Sequence, residues 1–419
     1  MNLRKRQGIL IIADGLGDRP NKELNGLTPL EKAKTPNLDK LVSEGMCGNV
    51  YPISAGIRVG TDVGHLQIFG YDSNEVYPGR GPLEAMSAGI EIKDGDVAFR
   101  GNFGTVDEEN IVIDRRAGRI RKGTDLLAQS LNGMVLEDGT KVLVKELTDH
   151  RVAVVLRGEG LGKDIICTDP GTACEGEKLV IPKSNDESDL KSKKTAKNLL
   201  EFTLKAQEIL KDHKVNLDRI KEGKEPANVI LTRGVGQKKF MPKITDKFGF
   251  KGICIAGDKT VYGIANLAGM EEYTEEDFTA NFDTNFKKKG EKAVQFINKG
   301  YDWVVVHVKA TDLAGHDNLP LKKIEVIENI DKMVGYILEN IDKSKCYISF
   351  TADHSTPCEA KDHTGDGVPT IIWGEDVRRD SVSEAGEKYF MSGSLNNLTA
   401  SDIFMLQMDF MGFTKKRGA

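Results

Sequence analysis

The sequence lacks the short motifs that identify several common enzyme classes. Its six cysteines form no C-x-x-C pair and show no regular spacing, so we expect them to pack as reduced, small hydrophobic side chains. There is no H-E-x-x-H and no G-x-S-x-G sequence, which argues against the common zinc proteases and hydrolases. The glycine-rich segments 15–17 and 158–163 lack the spacing of a dinucleotide-binding or phosphate-binding loop.

Long hydrophobic runs are also absent. The first apolar run covers residues 8–13, stops at Asp14 and has no cleavage site, so we interpret it as a buried strand and not as a signal peptide. No other stretch approaches the roughly 20 apolar residues that span a bilayer. The net charge of -5 favours a small anionic substrate over nucleic acid. We therefore expect a cytoplasmic protein without membrane or nucleic-acid partners.

The length of 419 residues predicts two domains, because one hydrophobic core rarely supports so long a chain. Residues 79–226 differ from the rest in their short strands and frequent glycines. This segment also contains a set of arginines: Arg80, Arg100, Arg115, Arg116, Arg119, Arg151 and Arg157. We predict that residues 79–226 form an inserted, smaller α+β domain that binds substrate. Residues 1–78 and 227–419 would then form a discontinuous metal-binding core.

Three short apolar segments each lead to an aspartate. Residues 8–13 precede Asp14, residues 303–308 precede Asp312, and residues 347–351 precede Asp353. Continuous apolar strands are typical of parallel sheets that helices cover on both faces. Such sheets place functional groups outside the carboxyl ends of their strands. The pattern predicts an α/β fold in which the three acids meet at one edge of the sheet.

Helical periodicity is clearest in residues 323–341, where apolar side chains recur every three or four positions. We predict a crossover helix there that faces the core. A second helix is predicted at 199–210, and the polar segment 212–226 after it is interpreted as a linker.

Acids and histidines cluster near the predicted strand ends. The set consists of Asp312, His316, Asp353, His354 and His363. Nitrogen and oxygen ligands without cysteine suit manganese, zinc, or magnesium paired with manganese. A single histidine is usually structural, but this number of ligand types at this spacing favours a metal centre.

Thr61 lies in a turn that is predicted to open a helix, and two roles are open for it. Its hydroxyl could cap the helix by accepting hydrogen bonds from the first turn. It could instead be a nucleophile at a helix N-terminus, where backbone donors favour an incoming phosphoryl group. A hydroxyl needs a base or a metal for that reaction, and the neighbouring acids and histidines could bind one.

Further motifs occur along the whole chain. They are D-G-L-G-D at 14–18, G-T-D at 60–62, H-L at 65–66, F-G-Y-D at 69–72, G-R-G-P-L-E-A at 79–85, G-H at 315–316 and A-D-H-S-T-P at 352–357. Together they resemble the archaeal-type 2,3-bisphosphoglycerate-independent phosphoglycerate mutases of the alkaline phosphatase superfamily. The resemblance implies an alkaline phosphatase-like sheet. It also implies an isomerase of glycolysis and gluconeogenesis that interconverts 3-phosphoglycerate and 2-phosphoglycerate through a metal-activated phosphothreonine.

The same resemblance implies roles for individual residues. Two divalent metal ions are expected, manganese first, with zinc, cobalt or magnesium as alternatives. Their ligand sets would be Asp312, His316 and His363 for one ion, and Asp14, Thr61, Asp353 and His354 for the other. Thr61 takes the position of a nucleophile that is commonly serine. The further catalytic candidates are His150 and Lys259, and the substrate-binding candidates are Asp114, Arg115, Arg116, Arg119, Arg151 and Arg157.

Two other functions remain open from the sequence. A metal-dependent phosphomonoesterase or another phosphotransferase of the superfamily could use the same core, and only the predicted insert distinguishes it from a mutase. A non-catalytic metal-binding or regulatory protein could also keep the fold. Such a protein would be expected to have lost ligands, whereas the set here is complete.

Overall fold

The computed structural model describes residues 6–171, 174–416 and 418. Within these residues the strands are β1 (Gln7–Ala13), β2 (Met46–Val50), β3 (Val97–Val106), β4 (Val112–Asp114), β5 (Lys141–Glu146), β6 (Arg151–Arg157), β7 (Ile165–Ile166), β8 (Lys183–Ser184), β9 (Val229–Gln237), β10 (Gly252–Ile255), β11 (Glu271–Tyr273), β12 (Trp303–Val308), β13 (Cys346–Thr351) and β14 (Val368–Trp373). The helices are α1 (Pro29–Lys32), α2 (Pro36–Glu44), α3 (Thr61–Ile68), α4 (Ser73–Val76), α5 (Arg80–Ser87), α6 (Thr124–Leu131), α7 (Leu190–Lys211), α8 (Lys214–Lys221), α9 (Ile244–Phe248), α10 (Lys259–Leu267), α11 (Phe286–Asn298), α12 (Ala310–His316), α13 (Pro320–Asn340), α14 (Glu387–Phe390) and α15 (Ala400–Phe410). None of these helices is long and apolar enough to cross a membrane.

The chain divides into two compact units. The first consists of Met1–Tyr77 and Met241–Ala419, and the second of Pro78–Phe240. The boundary on the amino-terminal side lies within a residue of the predicted one. The other boundary lies beyond the predicted position, because β9 pairs with β3 of the second unit. That pairing joins strands far apart in sequence, which periodicity within either segment does not reveal.

A seven-stranded sheet organises the first unit, in the order β11-β10-β12-β1-β13-β14-β2. β12 and β13 flank β1, and both run parallel to it. These are the three strands that were predicted from their apolar runs. Because they are parallel neighbours, their carboxyl ends lie at the same edge of the sheet.

Helices cover both faces of this sheet. On one face, alternate residues of β12 such as Val304 and Val306 belong to a core cluster with residues of α2, α11 and α13. On the other, Trp303 packs edge-on against Phe404 of α15 and Phe69 at the end of α3. The β-strands are therefore buried on both faces, which explains their uninterrupted apolar sequences. The predicted α/β class is confirmed, and the crossover helix predicted at 323–341 corresponds to α13.

The second unit has its own antiparallel sheet. Its strand order is β4-β3-β6-β5, with β9 on β3. α6 and α7 contribute Leu127, Leu199 and Phe202 to its hydrophobic core. This core is separate from that of the first unit.

The segment predicted as a linker, 212–226, contains helix α8. Its Asn216 side chain is fully buried and donates hydrogen bonds to the carbonyl oxygens of Leu210 and Ala227. The prediction of a linker was wrong because the segment is fixed by a buried polar residue rather than by an apolar face.

Candidate metal centre

The three predicted acids meet at the carboxyl edge of the large sheet. Asp14 follows β1 directly, Asp353 lies two residues after β13, and Asp312 lies in the first turn of α12 after β12. All three are at most 2% exposed. Three carboxylates at this depth repel one another unless cations or hydrogen bonds compensate them.

One group of ligand atoms surrounds the Nε2 atom of His354. This atom lies 3.2 Å from Asp353 Oδ2, 3.6 Å from Asp14 Oδ1 and 3.4 Å from Thr61 Oγ1. Asp14, Asp353 and His354 form one of the groups able to hold a metal ion. The structure therefore brings together Asp14, Thr61, Asp353 and His354, as the resemblance implied.

A second group is centred on Asp312. Its Oδ1 atom lies 3.4 Å from His316 Nε2 and 3.6 Å from His363 Nε2, and the two histidine atoms are 3.2 Å apart. The His354 and His363 rings stack at 3.6 Å between centroids. Asp312, His354 and His363 form a further group that could hold a metal ion. The two predicted ligand sets are thus adjacent.

The hydrogen bonds of the outer histidine nitrogens suit metal binding. His316 Nδ1 lies 3.0 Å from the carbonyl oxygen of Lys361, and His363 Nδ1 lies 2.8 Å from that of Val59. A carbonyl oxygen only accepts, so this network assigns the proton to Nδ1 in both rings. Their Nε2 lone pairs then face Asp312 and each other. Histidine ligands of metals are usually fixed in this way by a second hydrogen bond.

The carboxylates also fit a cation. Asp353 Oδ2 is buried and has no hydrogen-bond partner among the described residues. Burial and the neighbouring Asp353 raise the pKa of Asp14 above its ordinary value. Burial lowers the pKa of His354 to about 3, so its ring is neutral at neutral pH. Buried acids and neutral imidazoles are ligands suited to a divalent metal such as Mn²⁺ or Zn²⁺.

The alternative role of Thr61 as a helix cap does not match the structure. The N-cap of α3 is Gly60, and no side chain makes a capping hydrogen bond there. The hydroxyl of Thr61 instead lies 3.2 Å from Lys309 Nζ and within reach of His354. The nucleophile hypothesis is therefore the one that the geometry favours.

Lys309 is a residue of the site that the sequence analysis missed. Its Nζ atom lies 2.9 Å from Asp14 Oδ1 and 2.8 Å from Asp312 Oδ2. Burial alone would lower its pKa, but the two carboxylates raise it, so the ammonium stays charged. The one signal for Lys309 in the sequence was its position directly after the apolar run of β12, where functional residues are expected. The predicted Lys259 opens α10 next to Asp258, which also contributes to the raised pKa of Lys309, and a catalytic role of Lys259 stays a prediction.

Two buried histidines support the site from behind. His307 Nε2 lies 2.8 Å from Asp14 Oδ2, and His65 Nδ1 lies 2.7 Å from the carbonyl oxygen of Thr61. Burial lowers the pKa of His307 to about 4, so its neutral ring donates to Asp14. These contacts orient a carboxylate and the first residue of α3.

The predicted substrate residues of the second unit fall into different environments. Arg115 pairs with Asp169 in a buried ion pair of 2.5 Å, and Arg157 pairs with Asp96 at 2.7 Å. Asp114 accepts hydrogen bonds from two backbone amides of the following turn. Burial, together with Arg151 and Arg116, lowers the pKa of His150 to about 4. The exposed members of the set are Arg116, Arg119 and Arg151.

A second group of arginines surrounds Glu84. Its Oε1 atom lies 3.0 Å from Arg80 Nε and 3.3 Å from Arg100 Nε. Burial lowers the pKa of Arg100 to about 9, and Arg80 and Arg233 add to that effect. Positive charge exceeds negative charge here, which favours an anionic ligand. Arg233 was missed because β9 was assigned to the other domain.

Comparison with known proteins identifies the family. A model of the 2,3-bisphosphoglycerate-independent phosphoglycerate mutase family matches residues 42–216. A protein of that name from Methanobrevibacter smithii is 42% identical, over 99% of this chain and 100% of its own length. Another from Pyrococcus horikoshii is 45% identical, over 99% of both chains. The chain belongs to this family.

Solved structures agree with the assignment to the phosphoglycerate mutase family. A protein structure from Pyrococcus horikoshii matches with a TM-score of 0.86 and 39% identity, and it covers 100% of both chains. The cofactor-independent phosphoglycerate mutase of Thermoplasma acidophilum matches with a TM-score of 0.72 and 34% identity, over 97% of this chain and 100% of its own. The predicted family and the predicted enzyme class, an isomerase, are confirmed.

Proposed function

We propose that this protein interconverts 3-phosphoglycerate and 2-phosphoglycerate by transferring the phosphoryl group to Thr61 and back, without 2,3-bisphosphoglycerate. The observation that carries the proposal is the position of Thr61 Oγ1, which contacts Lys309 Nζ and His354 Nε2 beside three buried acids. A hydroxyl in that environment suits attack on phosphorus. The substrate is proposed from the family to which the chain belongs. Thr61 is proposed as the nucleophile from its position in the site.

The residues fit two divalent metal ions, of which manganese is the first candidate, with zinc, cobalt or magnesium as alternatives. Asp14, Thr61, Asp353 and His354 would hold one ion, and Asp312, His316 and His363 the other. When bound, the ions would offset the charge of the acids and of the phosphoryl group and lower the pKa of the Thr61 hydroxyl.

The residues of the site would then act in two transfers. In the first, Thr61 Oγ1 loses its proton and bonds to phosphorus while the bond from phosphorus to the glycerate oxygen breaks. That glycerate oxygen takes up a proton. In the second, the other hydroxyl of glycerate loses its proton and takes the phosphoryl group, and Thr61 is regenerated. Lys309, already in contact with Thr61, would donate to a phosphoryl oxygen and stabilise its charge.

The second unit would bind the substrate. We propose that Arg80, Arg100 and Arg233 hold the carboxylate and phosphate, because they form a group with excess positive charge. The exposed Arg116, Arg119 and Arg151 remain candidates for the same task. Since Arg115 and Arg157 are in ion pairs with Asp169 and Asp96, we infer a supporting role for them.

The two compact units would thus act as a phosphoryl-transfer domain and a substrate-binding domain. We propose that this enzyme serves glycolysis and gluconeogenesis in the cytoplasm. The partner that it requires is the small-molecule substrate.

The proposal is tested by assaying the purified protein with 3-phosphoglycerate and Mn²⁺. Formation of 2-phosphoglycerate is followed by coupling to enolase, and free phosphate is measured in the same reaction. A mutase produces 2-phosphoglycerate with little phosphate. Phosphate as the main product would instead indicate a phosphomonoesterase.

Variants of Thr61 test the intermediate. Thr61→Val keeps the shape of the side chain but removes the hydroxyl, so turnover should fall by at least about 1000-fold. Thr61→Ser keeps the hydroxyl and should retain activity within about tenfold. Acid-quenched reactions with phosphoryl-labelled substrate should label the wild-type protein but not Thr61→Val. Turnover by Thr61→Val near that of Thr61→Ser would refute the role of Thr61 as nucleophile.

A further inference from the structure

Thr356 lies between the two groups of metal ligands and is not itself one of the proposed ligands. Its side chain is fully buried. The hydroxyl oxygen lies 2.7 Å from Asp312 Oδ1 and 3.1 Å from His354 Nδ1. Asp312 belongs to one ligand set and His354 to the other. A single hydroxyl therefore contacts both sets.

The direction of these two hydrogen bonds follows from the chemistry of the partners. Lys309 Nζ lies 2.8 Å from Asp312 Oδ2, and this ion pair leaves the other carboxylate oxygen, Oδ1, facing the Thr356 hydroxyl. An ionised carboxylate only accepts, so the single hydrogen of the Thr356 hydroxyl is donated to Asp312. The oxygen can then only accept from His354, which assigns the imidazole proton to Nδ1.

This tautomer matters because the opposite nitrogen faces the site. His354 Nε2 is the atom that lies close to Asp14, Asp353 and Thr61. With the proton on Nδ1, the Nε2 lone pair is available to a metal ion. Without an acceptor at Nδ1, the proton could move to Nε2 and remove that lone pair.

The position of Thr356 is fixed on all sides. Its amide donates to the carbonyl oxygen of Gly17 at 3.1 Å, and its carbonyl oxygen accepts from Lys323 Nζ at 3.0 Å. A β-carbon at Gly315 would lie only 2.2 Å from the Thr356 carbonyl oxygen and 2.8 Å from its methyl carbon. Glycine at 315 is what lets α12, which carries Asp312, approach Thr356 so closely. The backbone of Thr356 is thus held by the carbonyl oxygen of Gly17 and the side chain of Lys323, with α12 packed closely against it.

We propose that Thr356 is a positioning residue that links the two metal sites, by fixing the tautomer of His354 in one and the orientation of Asp312 in the other. The link rests on the proposed two-metal site, although not on the identity of the substrate. It implies that loss of the hydroxyl weakens metal binding at both sites.

The test uses Thr356→Val, which keeps the shape of the side chain but neither donates nor accepts, and Thr356→Ser as its matched control. Each is combined with a variant that leaves one site intact. His316→Ala removes a ligand from one set, and Asp353→Asn removes a ligand from the other. Mn²⁺ is then titrated into the metal-free proteins, and the free ion is measured by electron paramagnetic resonance.

We expect Thr356→Val to weaken Mn²⁺ binding by about 10- to 100-fold in both backgrounds, the usual effect of losing a partner of a metal ligand. Thr356→Ser should stay within about threefold. If Thr356→Val weakens Mn²⁺ binding at only one site, or at neither, the proposed link between the sites is wrong. If the otherwise wild-type protein binds no Mn²⁺, the metal-site proposal itself fails, which is a different outcome.

A spectroscopic measurement separates this role from a general loss of packing. In the metal-free wild-type protein, ¹⁵N–¹H correlation spectra of the histidine side chains should show His354 protonated at Nδ1. Thr356→Ser should give the same tautomer, and Thr356→Val should populate the Nε2-protonated form. An unchanged tautomer in Thr356→Val would overturn the assignment.

Discussion

Lys289 carries a charge in the interior of the first unit. The residue is 1% exposed, and its Nζ atom donates to the carbonyl oxygen of His307 at 2.8 Å. Burial lowers its pKa from 10.5 to about 8. A charged lysine is costly in such surroundings, so its protonation state affects the stability of the fold.

The free energy of unfolding should therefore depend on pH through Lys289. Below pH 8 the lysine is protonated in both the native and the unfolded state. Between about pH 8 and 10.5 only the unfolded state keeps the proton, so stability rises with pH, by about 3 kcal/mol in total. Urea unfolding from pH 7 to 10 should show this gain in wild type and in the exposed control Lys287→Met, but not in Lys289→Met. If the stability of all three proteins depends equally on pH, Lys289 is not the source of the effect.

Adjacent arginines in the second unit should differ in their effect on stability. Arg115 forms a buried ion pair with Asp169, whereas Arg116 is exposed. Arg115→Ala leaves Asp169 buried with only the more distant Arg233 nearby, at a cost of about 3 kcal/mol. Arg116→Ala should change stability by less than about 0.5 kcal/mol. Thermal unfolding of both variants checks this, and similar melting temperatures would show that the ion pair contributes little.

Lys323 connects a helix to two loops of the metal centre. It lies on α13, is fully buried and donates to Asp18 Oδ2 at 2.9 Å and to the Thr356 carbonyl oxygen at 3.0 Å. Asp18 in turn accepts from the amide of Cys358. The ion pair of Lys323 and Asp18 thereby holds together the segments that follow Asp14 and Asp353.

Replacing Lys323 should disturb these segments as a unit. Lys323→Met leaves the carboxylate of Asp18 buried without its cation, which should cost about 3 to 5 kcal/mol. Lys322→Met, at a partly exposed neighbouring position of α13, should change stability by less than about 0.5 kcal/mol. Urea denaturation of both proteins provides the comparison. Should Asp18→Asn combined with Lys323→Met be no more stable than Lys323→Met alone, an unpaired charge is not the cause.

For the whole molecule, metal binding should increase the free energy of unfolding. Ions that bind only the native state stabilise it by about 2.7 kcal/mol per site at 100 times the dissociation constant. EDTA should therefore lower the melting temperature of the wild-type protein, and added Mn²⁺ should restore it. Differential scanning calorimetry at several Mn²⁺ concentrations would measure the shift.

The matched control is a variant that has lost a ligand. His316 is partly exposed, so His316→Ala should fold normally but gain less stability from Mn²⁺ than wild type. Elemental analysis should show less bound metal in the same preparation. A melting temperature that is independent of Mn²⁺ in wild type would exclude a metal centre of the proposed kind.

The sequence predicted the parts of the site that belong to local patterns. Asp14, Asp312 and Asp353 were found because each follows an apolar strand, and strand order confirmed that they meet. His316 lies in a family motif, and His363 was predicted from the cluster of acids and histidines and from the resemblance. The arrangement of strands in the second unit was less predictable, since β3 and β9 pair across more than 100 residues of intervening chain.

Lys309 shows why other residues of the site were missed. Its position directly after an apolar strand was the one local signal, but its role depends on the carboxylates of Asp14, which follows β1, and Asp312 of α12. His65 lies in one of the family motifs, but neither its contact with Thr61 nor that of His307 with Asp14 was predicted from the sequence. The partner of His307 is Asp14, directly after β1, and only the fold brings these two residues within hydrogen-bonding distance.

The sequence by itself thus determined the fold class and the family and predicted the candidate metal ligands, because apolar periodicity and short motifs are local properties of the chain. The tertiary structure decided which side chains share a hydrogen bond or an ion pair. It placed Thr61 at the site rather than at a helix cap, joined Arg115 to Asp169, and set Thr356 between two ligand sets. Hydrogen bonds and ion pairs act over a few ångströms in space, and that distance is fixed only when the elements pack.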